Sequence, residues 1–136
     1  MMSGKMGLIV SVSFFILASI CNSIMDVTSH HFSLSVFKNL NPMWWNGEIS
    51  WKNKYVNGDS TQGRKKLWGN INYPVQLTDC WHFFKMLMII FLTVSVVTFD
   101  SALINHPYQY LLYICLYGFF WNTTFSLFYN KIFKSK

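Results

Sequence analysis

Apolar residues run unbroken by charge from Gly7 to Met25 and again from Tyr108 to Tyr129. At about 1.5 Å of rise per residue, each run is long enough as a helix to cross a hydrocarbon core of about 30 Å. The run from Met86 to Phe99 is shorter. Lys85 at its start can snorkel to the headgroups, so the span counts from Trp81 and ends at Asp100. The pattern predicts one membrane domain over residues 1–136, with spans at about 7–25, 81–99 and 108–129. Asp100 to Pro107 reads as a short polar connection, so the second and third spans are expected to pair as an antiparallel helical hairpin. Lys5 ahead of the first run also suits a cleaved signal peptide. The run is long for one, however, and lacks a small-x-small exit.

The first helix is expected to outrun the membrane. Asn22, Asp26, Ser29, His30 and Ser33 recur at helical spacing as a polar stripe, and no Gly or Pro intervenes before Asn41-Pro42. One helix from about residue 6 to residue 39 follows. From Pro42 to Tyr73 the chain turns to Asn, Gly, Lys and Trp, with Asn57-Gly58-Asp59 reading as a turn and Ser60 to Gly63 as loop. Helix resumes at Pro74, or at Thr78 as an N-cap. The expected fold class is an all-α membrane protein: three transmembrane helices, with a Trp/Lys-rich interfacial segment at about 26–80 between the first and second.

Composition agrees. Only 12% of the 136 residues are charged, about half the usual share of a soluble domain, and 13 Phe, 7 Tyr and 6 Trp make the chain strongly aromatic. The net charge of +6 lies beside apolar runs, a pattern of topology and anionic headgroups rather than of nucleic-acid binding. Lys38, Lys52, Lys54, Arg64, Lys65 and Lys66 fall between the first two spans, and Lys131, Lys134 and Lys136 after the third. The positive-inside rule then sets the N-terminus outside a cell (inner) membrane, with the long loop and C-terminus cytoplasmic. Cys21, Cys80 and Cys115 form no C-x-x-C pair and suggest neither disulfides nor zinc.

Two groups of residues could carry chemistry. Asp26, His30 and His31 near the end of the first span, and Asp79 and His82 at the start of the second, could converge on a divalent metal. Capping and helix-to-helix pairing explain the same residues without one. In the other group, Lys52, Lys54 and Lys85 could hold a lipid phosphate within a rim of Trp44, Trp45 and Trp51. Single-stranded nucleic acid also takes Trp with Lys, but tethering to a bilayer favours lipid. Tyr110, Tyr113, Tyr117, Trp121 and Thr124 make a stripe along the third span that fits helix packing. His106 reads as a connector residue, and the glycosylation pattern Asn122-Thr123-Thr124 lies within an apolar run.

Ser50-Trp51-Lys52-Asn53-Lys54-Tyr55, Asn57-Gly58-Asp59, Leu77-Thr78-Asp79 and Trp81-His82 together resemble a pattern in uncharacterised small bacterial integral membrane proteins. The likeness covers roughly the middle third of the chain. No activity is assigned to that group, so it brings no catalytic residue. It implies that the segment between the first two spans is the working part. The expected function is a non-catalytic accessory or structural component that binds membrane lipids, another membrane protein or itself. A metal-dependent enzyme acting on a lipid or phosphate ester and a holin-like pore former are the alternatives.

Overall fold

The computed structural model describes residues 4–99 and 104–134; Asp100 and Lys136 lie outside the described residues. Three helices are long and apolar enough to cross a membrane, as a multi-pass membrane protein requires. α1 spans Gly4–His30 and α3 spans Cys80–Thr98, while α4 spans Tyr108–Leu127 and runs on as a π-helical turn over Phe128–Phe133. Between α1 and α3 the chain forms a cap on one end of the helices. It holds the short helix α2 (Pro42–Trp45), a series of 3-10 turns, and two antiparallel strands, β1 (Lys66–Trp68) and β2 (Ile71–Asn72).

The expected α3–α4 hairpin does not form: both helices pack along α1 and scarcely along each other. The reason is the α1 surface. Ser11, Ser19 and Ser23 are fully buried on it, with Ala18 and Gly7 beside them, so neighbouring backbones can approach closely. Their hydroxyls then bind across the gap. Ser11 Oγ donates to the Ser95 carbonyl of α3 at 2.7 Å and meets Tyr117 Oη of α4 at 2.5 Å. Ser19 Oγ donates to the Trp121 carbonyl at 2.9 Å, and Ser23 Oγ lies 3.4 Å from that of Phe125. Phe15 sets its ring against Tyr117 and Trp121, at centroid distances of 4.8 and 5.3 Å. Tyr117 and Trp121 of the third span's aromatic stripe thus pack on α1, whereas Tyr110 is exposed.

α1 ends at His30, some nine residues short of the expectation. In a continuing helix the Thr28 carbonyl would accept the amide of residue 32. Here it accepts the Gly47 N–H instead, at 3.1 Å. Gly47 comes so close that a Cβ there would sit 2.7 Å from Ser29 Cα. The cap therefore plugs into the helix end, and the chain leaves through a 3-10 turn to Ser35, which pairs with Lys134 as an antiparallel bridge. Trp45 stacks on Phe37 at 4.7 Å and leans on Phe84 of α3, and Trp44 meets Phe83. Asn41-Pro42, expected to stop a helix, starts one: Asn41 Oδ1 accepts the Met43 N–H and Pro42 takes the first position.

The strands were not anticipated, because β1 and β2 together are only five residues long. The turn at Asn57-Gly58 was: both have positive φ, 52° and 75°. Asp59 closes it, accepting hydrogen bonds from the Thr61 N–H and hydroxyl that hold its carboxyl below the ordinary value. That support is present at neutral pH and is lost as pH falls through the lowered value.

Gly47→Val should lower thermal stability in detergent by about 1–3 kcal/mol, the range for overpacking a closed contact. Gly118→Ala makes the comparison, since nothing lies within 4 Å of a Cβ there and its backbone is ordinary helix. Equal melting of the two variants would show that the Gly47 contact is slack.

Candidate functional site

α3 begins where the cap meets α1, and its first residues are polar. Asp79, in extended conformation, caps the helix by accepting the His82 N–H at 3.0 Å. The cap residue is thus one position later than Thr78. The same carboxylate accepts from His82 Nδ1, with Oδ1 at 2.9 Å and Oδ2 at 2.7 Å. A carboxylate partner places the proton on Nδ1 and leaves Nε2 unbonded to protein among the described residues. Asp79 is 2% exposed and the His82 side chain 34%. Thr78 lies behind the pair with its hydroxyl 3.1 Å from Asp79 Oδ2, and its carbonyl accepts Asn53 Nδ2. Asn53 Oδ1 in turn accepts Lys65 Nζ at 2.7 Å. A run of hydrogen bonds therefore joins the middle of the cap to the start of α3.

In front of the pair is a recess of about 230 Å³, lined by Ser29, Gly47, Ser50, Trp51, Trp81 and His82 with Asp79. Ser50 is 3% exposed and lines the recess beside Trp51. The two tryptophan walls both carry a cation. Lys52 Nζ lies 5.7 Å from the Trp51 ring centre and Lys85 Nζ 4.5 Å from that of Trp81. His82 and Lys85 also line a second groove of about 350 Å³ that runs along α3 past Met86, Ile89 and Ile90. The recess combines two indole walls with the Asp79–His82 pair, and shares His82 with this apolar groove.

The five Asp and His residues do not converge. Among the described residues, no three His, Cys, Asp or Glu side chains come together in a group able to hold a metal. The cause is helix phase. Thr28 faces Cys80 and the cap, with its hydroxyl 3.4 Å from Cys80 Sγ. Asp26 and His30, two residues to either side, are turned about 200° away. Asp26 lies beside His30 and Tyr129, and His31 sets its ring edge-on to Tyr129 at 5.8 Å, on the α4 side. Asp79 and His82 alone give two donors, short of the three that a catalytic zinc takes from protein.

The six headgroup candidates also divide. Trp51 lines the recess with Lys52 beside its ring, Lys85 lies by the ring of Trp81, Lys54 lies over Tyr55 at 5.2 Å, and Trp44 and Trp45 are packing residues. Ser29, Gly47, Ser50 and Trp81 belong to the recess and were not singled out from sequence for it. Ser50, Trp51 and Trp81 do fall within the residues that carry the resemblance, which was the one available signal. No protein-family model, curated protein or solved structure matches the chain.

Asp79→Ala removes a helix cap and leaves His82 unheld, at a cost of about 1 kcal/mol for the cap alone. Asp79→Asn keeps an acceptor for the His82 N–H and should recover most of that loss in a thermal melt. Equal loss in both would show that charge, rather than capping, holds this helix start.

Proposed function

We propose that this is a non-catalytic component of the inner membrane that binds the phosphate headgroup of an anionic lipid in the recess between its cap and α3. One observation carries the reading: the two tryptophans lining the recess each hold a lysine ammonium against their ring. Indole rings favour the headgroup layer, where an apolar face and a polar edge are both satisfied. The lysines supply charge for a phosphate, and the Ser50 hydroxyl adds a donor. The Asp79 carboxylate opposes an anion least, because the His82 ring and the helix start already offset it. Below His82, the groove past Ile89 and Ile90 suits the acyl chains of the same lipid.

The positive-inside rule favours a cytoplasmic cap, facing the leaflet where anionic lipid is concentrated. The bridge from Ser35 to Lys134 brings Lys134 to the cap end, on the side of the basic cap.

Native mass spectrometry of the detergent-purified protein, titrated with phosphatidylglycerol or phosphatidylcholine, tests the reading. Phosphatidylglycerol should bind tighter, and Lys52→Ala and Lys85→Ala should each weaken it roughly fivefold, as about 1 kcal/mol per cation implies. Lys54→Ala should have little effect. Equal binding of the two lipids by the wild type, unchanged in the lysine variants, would overturn it and turn attention to a protein partner.

A further inference from the structure

The strands β1 and β2 form a hairpin in which no residue is buried. At its turn, Leu67, Trp68 and Ile71 are 58%, 83% and 64% exposed, and Trp68 is paired across the strands with Ile71. So short a two-stranded hairpin is marginal in water on its own. A turn is also a costly place to expose an indole and two branched aliphatic side chains unless they have somewhere to go.

Its base is held at the end of a span. The Lys65 N–H donates to the Lys54 carbonyl at 3.0 Å, the Tyr73 N–H to the Lys65 carbonyl at 2.8 Å, and Tyr55 bridges to Arg64. Lys65 Nζ reaches Asn53, and Asn53 reaches the carbonyl of Thr78, two residues before α3 begins at Cys80. The hairpin is therefore fixed to the helix start and carried with it at the bilayer surface. Its charge has a single sign: Arg64, Lys65 and Lys66 lead into it, and no Asp or Glu occurs from Ser60 to Thr78. Lys66 folds back onto Asn72 Oδ1 at 2.9 Å, which keeps its ammonium beside the strands.

We infer that this hairpin is a second membrane contact, with Trp68, Leu67 and Ile71 entering the headgroup layer of the adjoining bilayer and Arg64 and Lys66 pairing with anionic lipid. Cations beside exposed aromatics match such a surface in both charge and polarity. The contact does not depend on the recess, from which none of these residues comes. It would steady the cap against the membrane from a second point.

A fluorophore read out in nanodiscs tests it on the full chain. Trp68→Cys, made in a Cys115→Ser background because Cys21 and Cys80 are buried, is labelled with an environment-sensitive dye. In discs containing phosphatidylglycerol, the dye should emit to the blue, be quenched by headgroup-level spin-labelled lipid and resist aqueous iodide. Adding Arg64→Glu and Lys66→Glu should shift emission to the red and remove most of the lipid quenching. A dye on Gln62, outside the strands, should stay in water throughout and shows that the label does not itself drive insertion. Water-like emission at position 68 in anionic discs would overturn the inference. So would protection there that is the same in pure phosphatidylcholine and indifferent to the charge reversals, since the anionic pairing would then be absent. Protection seen only in native membranes, and not in discs, would assign the hairpin to a protein partner and also overturn it.

Discussion

Close approach to α1 is the constraint on which the other elements depend. α3 and α4 meet on its surface, at residues whose side chains are little larger than the backbone. Between lipid-facing helices there is no water to expel, so association rests on van der Waals contact and on hydrogen bonds between polar groups. The serines of α1 serve both. Each is small enough to admit a neighbour and carries a hydroxyl that reaches a carbonyl of α3 or α4. A larger side chain at Ser11 or Ser19 would push these backbones apart and remove the hydrogen bonds that tie Ser11 to Tyr117 and Ser19 to the Trp121 carbonyl.

The same principle governs the end of the helix, where the close neighbour is Gly47. By supplying an N–H to the Thr28 carbonyl, the cap takes the place of the next helical turn. The recess follows from that seating. Gly47 and Ser29 form its inner edge, Ser50 and Trp51 follow along the cap, and Asp79, Trp81 and His82 close it from α3. Three segments far apart in sequence are thus brought to one place by a contact that only glycine admits. Asn53, bound both to Lys65 and to the Thr78 carbonyl, ties the hairpin to this assembly.

Much of this was legible in the chain. The apolar runs located α1, α3 and α4 closely, because a bilayer demands a minimum length of apolar helix and sequence displays that directly. Asp79-x-x-His82 was readable as a pair sharing a face, since a separation of three residues places them together at any helix start. The Asn57-Gly58 turn followed from residue type. The serines at 11, 19 and 23, spaced by multiples of four, were visible too, though an apolar run draws the eye to its length rather than to its small positions.

Local pattern, then, determined the three spans, the basic and aromatic character of the cap, and the Asp79–His82 pair. Tertiary structure decided where α1 stops, which tryptophans share a recess, and that Asp26 and His30 turn away from Asp79 and His82. It also decided that α3 and α4 lie on α1 rather than on each other. The physical reason is that helix length and polarity are properties of a segment, whereas helix phase and termination are settled by whatever packs against it. The stripe from Asn22 to Ser33 had every local reason to continue as helix. It ended because an amide from Gly47, about seventeen residues on from His30, took the carbonyl that the next turn required.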